Sequence, residues 1–197
     1  MTEQEWDRLL GIRTTGRDDS HSDTYRYPYE PTPYSVLERL ANSGWLKKSN
    51  HLLDYGSGKG RVELFLAWQV RCSCTGVDYD PRMVAAAEEN RQKAASGRRV
   101  QFVEALAEEF AVPSEIDRIY FFNPFSIEIL GKVLARIRES WYETPREIVL
   151  LFYYPSDEYI AHLMTEDLLD FEDEIDCRDL FPGANDRERI MIFSIGE

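Results

Sequence analysis

The chain has 197 residues, of which 43% are hydrophobic, and this length suits one domain over residues 1–197 with a sizeable core. Asp and Glu number 36 against 23 Lys and Arg, which gives a net charge of −13. Because this charge repels nucleic-acid phosphates, we expect a protein or small-molecule substrate rather than RNA or DNA. No apolar run approaches the roughly 18 residues of a membrane span, and residues 1–10 are too acidic for a signal peptide, so we expect a cytoplasmic protein without a membrane partner.

The first 33 residues combine a predicted short helix with a tyrosine-rich segment. Residues 2–11 are predicted to be helical, since Glu5 stands three residues after Thr2 in the pattern of a capping box. Residues 13–33 hold few aliphatic side chains, and connections of this length are often lids or binding segments. We predict a lid in which Tyr29 and Tyr34 help to bind substrate. The alternative is that the tyrosines only anchor the loop on the core formed by residues 34–197.

A glycine-rich loop follows the first predicted strand. The pattern predicts a helix over 33–43, a strand over 52–55 and a helix over 60–70. Between strand and helix, glycines permit φ > 0, a close approach of the backbone to a ligand and tight packing of the helix on the strand. The free N–H groups of the new helix face such a ligand. A bare glycine turn is also compatible with an ordinary strand-to-helix connection.

The loop resembles a motif of a known family. Residues 54–60 are Asp-Tyr-Gly-Ser-Gly-Lys-Gly, which is similar to the first motif of class I S-adenosylmethionine-dependent methyltransferases. The resemblance implies S-adenosyl-L-methionine as cofactor, its methionine part on the loop backbone, and Asp54 organising that loop. A dinucleotide-binding loop would need glycine where Arg61 stands, and a P-loop would need glycine at Leu53.

Asp78 is the second predicted anchor. It ends the strand predicted at 74–77, 18 residues after Gly60, close to the interval at which an acid reaches ribose hydroxyls in a nucleotide-binding βαβ unit. The resemblance assigns Asp78 to the ribose and Tyr79 to adenine. The alternative is that Asp78 only caps the helix that begins at Pro81. The predicted cofactor-binding residues are Asp54, Gly56, Ser57, Gly58, Gly60, Asp78, Tyr79 and Leu106.

The next strand, predicted at 100–104, departs from the family pattern. Many members carry Gly-Asp-Ala after this strand, where the aspartate accepts from the adenine amine, whereas residues 105–107 of this chain are Ala-Leu-Ala. We predict that Leu106 packs on the edge of adenine.

The strand predicted at 117–123 delivers Asn-Pro-Phe-Ser, residues 123–126, to the edge that carries the glycine loop. This run resembles a shortened Asn-Pro-Pro-aromatic motif of amino-methyltransferases, which implies that Asn123 and Pro124 are catalytic and that Phe125 binds substrate. One proline is missing, which displaces the aromatic residue by one place. The alternative is a turn into a helix capped by Ser126.

The C-terminal part completes the predicted fold. Strands are predicted at 148–154, 169–177 and 189–194, with a short helix at 156–164. The terminal strand pair suits an antiparallel last strand. We therefore predict an α/β fold, a Rossmann-like three-layer sandwich around a seven-stranded, mostly parallel sheet.

The predicted function is methyl transfer from S-adenosyl-L-methionine to a nitrogen, or secondarily an oxygen, of a protein side chain such as lysine or of a small molecule. Holding the reactants in line supplies much of the rate, so no strong general base is required. Three cysteines and three histidines show no metal-ligand spacing, and no metal is expected. Two alternatives remain, a non-catalytic S-adenosylmethionine-binding regulator and an NAD-dependent oxidoreductase. The sequence leaves the oligomeric state open.

Overall fold

The computed structural model describes residues 1–17, 29–183 and 185–196. Its centre is a seven-stranded sheet in the order β3-β2-β1-β4-β5-β7-β6. Strands β1 to β5 pair in parallel, whereas β7 runs antiparallel to both of its neighbours. The strands are β1 His51–Tyr55, β2 Ser73–Asp78, β3 Val100–Glu104, β4 Arg118–Phe121, β5 Ile148–Tyr153, β6 Asp170–Asp176 and β7 Arg189–Ile195. The predicted α/β fold with one antiparallel strand is confirmed.

In the described part of the chain, six α-helices pack around the sheet. They are α1 Glu3–Leu10, α2 Tyr34–Ala41, α3 Arg61–Gln69, α4 Pro81–Lys93, α5 Ile127–Glu143 and α6 Asp157–Leu163. The predicted capping box of α1 forms, with Thr2 and Glu5 bonded reciprocally. Ser126 stands at the N-cap of α5, but its side chain makes no capping hydrogen bond. Ser126 therefore occupies the predicted N-cap position without the capping hydrogen bond.

The sheet separates two hydrophobic cores. One core joins α1, α2 and α3 to one face, and the other joins α5 and α6 to the opposite face. This gives the predicted three layers. All six residues of β5 are buried, because a strand inside a sheet that is covered on both faces has no side exposed to water.

The topology places three carboxyl ends together. Tyr55 at the end of β1 pairs with Val77 of β2 on one side and with Phe121 of β4 on the other. The chain reverses its order of strands between β1 and β4, and ligands of open α/β sheets bind at such a switch point. The loops after β1, β2 and β4 therefore surround one crevice. Within the described residues, no helix is long and apolar enough to cross a membrane.

Candidate functional site

The glycine loop folds back onto the neighbouring strand. The backbone N–H groups of Gly56 and Ser57 donate to the Val77 carbonyl at 2.8 and 3.1 Å. Gly56 has a φ of +81°, and a Cβ there would lie 2.9 Å from the Cβ of Pro124. At Gly58, a Cβ would lie 2.2 Å from the Tyr29 ring. Both positions therefore require glycine, for conformation and for space.

Asp78 fastens this loop to the second strand. One carboxylate oxygen accepts from the Gly58 N–H at 2.8 Å and the other from the Asp80 N–H at 2.9 Å. Burial raises the pKa of Asp78, and these hydrogen bonds oppose the rise. The cap of α4 is Asp80, whose side chain accepts from the Arg82 N–H, so the interpretation of Asp78 as the helix cap is wrong. Asp78 borders the crevice while it holds the loop.

A second buried acid lies beneath the loop, and sequence reasoning missed its neighbour. Asp54 is 3% exposed and Glu63, on α3, is fully buried. Burial raises the pKa of Asp54 to about 7 and that of Glu63 well above its usual range. The available signal was an acid between Val62 and Leu64, in a run that is otherwise apolar.

Arg61 joins the loop to the N-terminal segment. Its side chain is 3% exposed and lies over the Tyr34 ring, 4.3 Å from the ring centroid. The guanidinium donates to Glu3, Thr14, Thr15 and the Thr32 carbonyl. Sequence reasoning used Arg61 only to exclude a dinucleotide loop. In the structure, it attaches α1, Thr14, Thr15 and Thr32 beside the crevice.

The end of β4 forms the opposite wall. Asn123 has a φ of +43°, which ends the strand two residues before the predicted boundary. Its side-chain Oδ1 is buried and has no hydrogen-bond partner among the described residues. Such an atom carries a desolvation cost of about 1–3 kcal/mol until a donor arrives. Pro124 packs on Gly56, and Phe125 is buried against Tyr55.

These elements enclose one crevice with about 1000 Å³ of empty volume, including its open mouth. Its lining includes most residues predicted from sequence. They are Tyr29, Asp54, Gly56, Ser57, Asp78, Tyr79, Asn123, Pro124 and Phe125. Gly58 and Gly60 lie behind this surface, where their Cα atoms pack on the rings of Tyr29 and Phe102.

Besides Gly58 and Gly60, two predicted residues do not line the crevice. Tyr34 is fully buried, stacks on Trp6 and donates its hydroxyl hydrogen to Asp7 at 2.7 Å, so it anchors the N-terminal segment rather than binding substrate. Leu106 does not line the crevice, although Ala105 and Ala107 do. Successive side chains of extended backbone point to opposite sides, which explains this result.

The predicted lid is described only in part. Tyr25 and Tyr27 belong to residues 18–28, which lie outside the described residues. Tyr29 is described, and it lies on the glycine loop with its hydroxyl donating to the Thr14 carbonyl at 2.7 Å. Lys59 stands over its ring at 5.0 Å from the centroid. Tyr29 therefore both anchors this segment and borders the crevice.

Comparisons with known proteins agree with this geometry. A family model described as a methyltransferase domain matches residues 52–141, which run from β1 to α5. Residues 52–141 therefore form a methyltransferase domain, within a fold of the type that S-adenosylmethionine-dependent methyltransferases share. The protein is therefore an enzyme with S-adenosyl-L-methionine as its cofactor, and the oxidoreductase alternative is wrong. No curated protein matches the chain.

Solved structures share the fold at low sequence identity. An RNA methyltransferase from Salinibacter ruber, in complex with S-adenosyl-L-homocysteine, is 20% identical over 85% of this chain and 95% of its own, with a TM-score of 0.56. A TehB-like methyltransferase from Corynebacterium glutamicum is 16% identical over 98% of this chain and 95% of its own, with a TM-score of 0.60. The StiE O-MT, residues 961–1257, is 11% identical over 84% of this chain and 75% of its own, with a TM-score of 0.62.

The chemistry of the crevice fits the cofactor. The backbone of Gly56 and Ser57 forms part of the crevice wall, and Gly56 leaves room there for Pro124 of the opposite wall. Asp54 and Asp78 supply two carboxyl groups on the wall formed by β1 and β2.

Proposed function

We propose that this methyltransferase acts on a nitrogen nucleophile, in a protein side chain such as lysine or in a small molecule. The observation that carries the proposal is the unpartnered, buried Oδ1 of Asn123 at the crevice. An amide oxygen only accepts hydrogen bonds, so its partner must be a donor such as an amine N–H. The Asn123–Pro124 turn then orients the amine lone pair toward the cofactor.

Charge favours a nitrogen acceptor over an oxygen acceptor. The chain carries a net charge of −13, and Glu30, Asp54 and Asp78 line the crevice. A negative electrostatic potential concentrates cationic amines at the mouth of the crevice and repels phosphates. The faces of Phe122 and Tyr29 border the same space, and aromatic faces attract alkylammonium groups. These features support a lysine side chain or a small amine more than a nucleic acid.

The cofactor residues follow from the same crevice. We assign the methionine part to the backbone of Gly56 and Ser57 beside Asp54, the ribose to Asp78, and the base to Tyr79 with Ala105 and Ala107. When bound, S-adenosyl-L-methionine supplies an electrophilic methyl group on its sulfonium. The residues of this chain bind the cofactor, orient the methyl acceptor toward it and exclude water from the crevice. Holding nucleophile and methyl in line accounts for as much as roughly 7–11 kcal/mol of the barrier.

The experiment compares methyl transfer by wild type and Asn123→Gly. Glycine keeps the φ of +43° and removes only the side chain. Tritiated S-adenosyl-L-methionine is incubated with cell extract, and the label is separated into protein, small-molecule and nuclease-sensitive fractions. We expect label in the protein or small-molecule fraction and a rate about 100-fold lower for the variant, because misplacing a reactant by about 1 Å costs that much.

Binding of S-adenosyl-L-homocysteine provides the control, since Asn123 is assigned to the acceptor and not to the cofactor. Its affinity should be equal in the two proteins. Treatment of the labelled product with base then removes methyl esters, and chromatography of the surviving label against N-methyl amine and methyl ether standards identifies the methylated atom. A wild-type rate for Asn123→Gly, a base-labile product or label that nuclease removes would each overturn the proposal.

A further inference from the structure

Glu63 is a buried acid whose polar neighbour is a second acid. Its side chain, on the first turn of α3, is fully shielded from solvent. Apart from the Asp54 carboxyl, no described side chain bonds its carboxyl oxygens. A Cβ on Gly76 of β2 would lie 2.3 Å from Oε1, so the carboxyl rests directly on the bare backbone of that strand. Unpaired buried carboxylates are costly, which means that this group is neutral or paired in some state.

The groups that face Glu63 offer no positive charge. They are Asp54 on β1, Cys74 and Asp78 on β2, Tyr120 on β4 and Tyr29 of the N-terminal segment. Arg61, two residues earlier, directs its guanidinium to Glu3, Thr14 and Thr15. No described cation therefore neutralises the carboxyl groups of Asp54 and Glu63.

The two carboxyl groups interact directly: Asp54 raises the pKa of Glu63, whereas a hydrogen bond with Glu63 lowers the pKa of Asp54. Burial is the main cause of the raised pKa of both groups, and the charge of Asp54 adds to the effect on Glu63. Carboxylate oxygens only accept hydrogen bonds, so the pair can form one only when one member is protonated. Two acids in this relation titrate as a unit, and the unit holds one proton between its two pKa values.

We propose that Asp54 and Glu63 share one proton in the cofactor-free enzyme and release it to solvent when the cofactor's ammonium group binds beside Asp54. The O–H bond of the carboxyl breaks, the proton passes to bulk water, and the positive charge of the ammonium replaces it. Asp54 lines the crevice whereas Glu63 does not, so Glu63 acts through Asp54 as a positioning residue. The inference rests on the cofactor placement given under the proposed function.

Calorimetry measures this proton directly. Binding of S-adenosyl-L-homocysteine is titrated at pH 7 in buffers of different ionisation enthalpy. The slope of the observed binding enthalpy against the ionisation enthalpy of the buffer gives the number of protons released. We expect about one proton and, by linkage, an affinity that rises about tenfold per pH unit while the pair is protonated. The comparison ligand is 5′-methylthioadenosine, which has the adenosine and the sulfur but no ammonium. It should bind without proton release.

Glu63→Gln tests the role of the second acid. The glutamine amide donates to Asp54 without carrying a titratable proton, so binding should persist while the proton release and the pH dependence are lost. Glu89→Gln is the matched control, because Glu89 lies on α4 with 75% of its side chain exposed, and it should release the same proton as wild type.

The outcomes separate the two proposals. Wild type that binds no S-adenosyl-L-homocysteine would contradict the cofactor placement. Wild type that binds it without releasing a proton, or releases as much with 5′-methylthioadenosine, would contradict the shared proton alone. The shared proton would also be contradicted if Glu63→Gln released as many protons as wild type on binding S-adenosyl-L-homocysteine. If this variant fails to fold, the comparison of the two ligands on wild type still decides.

Discussion

The two walls of the crevice differ in how far the protein satisfies its own polar groups. On the cofactor wall, formed by the ends of β1 and β2, Asp78 accepts from two backbone N–H groups and Arg61 is bonded on all sides. On the acceptor wall, at the end of β4, the Oδ1 of Asn123 is buried without a partner among the described residues. Asp78 and Arg61 are thus bonded without a ligand, whereas the Asn123 amide oxygen is not; on the cofactor wall only the Ser57 hydroxyl and the Glu63 carboxyl behind it resemble Asn123 in this.

This difference indicates a division of tasks. A wall whose polar groups are already bonded keeps its shape before the cofactor arrives, which lowers the free energy needed to organise the site. An unpaired acceptor at a left-handed backbone position stores strain that a substrate donor relieves. Variants of the cofactor wall should therefore change stability and cofactor affinity, whereas variants of the acceptor wall should change turnover.

The largest effect is expected for Arg61→Met, which removes the centre of the cofactor wall. Removing one member of a buried ion pair typically costs 3–5 kcal/mol. We expect the free energy of unfolding to fall by about 3 kcal/mol, at the lower end of this range. The loss is limited because Asp7 keeps its hydrogen bonds from Thr14 and Tyr34. Urea denaturation followed by circular dichroism measures the loss.

Arg136→Met is the control for this substitution. Arg136 pairs with Glu139 on the surface of α5, where 43% and 61% of the two side chains are exposed. Exposed pairs contribute about 0–1 kcal/mol, so this variant should unfold near wild type. If the two variants lost equal stability, Arg61 would not hold the N-terminal segment to the loop.

Asp78→Asn should have the next largest effect. The amide nitrogen would face the N–H of either Gly58 or Asp80, so one of the two loop hydrogen bonds is lost. Hydrogen bonds to a charged group contribute about 1.5–3 kcal/mol, and we expect the affinity for S-adenosyl-L-homocysteine to fall at least tenfold in calorimetry. Glu104→Gln, opposite Asp78 in the register but exposed, should bind as wild type does. Equal affinities would remove Asp78 from the cofactor site.

The cofactor wall could be predicted from sequence because its signals are local. Three alternating glycines imply positive φ, and an acid at a strand end implies a position at the edge of the sheet, whatever lies elsewhere in the chain. The glycines after β1 all have φ > 0, and Asp78 borders the crevice. The mostly parallel sheet with its antiparallel last strand could likewise be predicted from the alternation of strand and helix patterns and the terminal strand pair.

Other residues could not be placed because their surroundings come from distant segments. Tyr34 is buried since α1 covers it, and Glu63 is buried since β2 offers Gly76 beneath it. No pattern near either residue carries that information. Leu106 is different, because its position could have been predicted from sequence. Side chains of extended backbone point alternately to opposite sides, so Ala105 and Ala107 face the crevice and Leu106 faces away from it.

The smallest effect is expected where the two walls touch. Gly56→Ala adds a methyl group 2.9 Å from the Cβ of Pro124, at a φ of +81° that costs an alanine about 1–2 kcal/mol. Gly44→Ala is a matched control, since its φ is +89° and nothing lies within 4 Å of the added atom. Both variants should lose this stability in urea denaturation.

Only Gly56→Ala should also lower the rate of methyl transfer, because the methyl group displaces Pro124 and with it the neighbouring amide of Asn123. The loss should appear in kcat, with a smaller change in cofactor affinity. Equal kcat values for the two alanine variants would mean that the acceptor wall holds its position independently of the loop. The contact between Gly56 and Pro124 would then be packing alone, and the alignment of the acceptor would depend on the buried ring of Phe125.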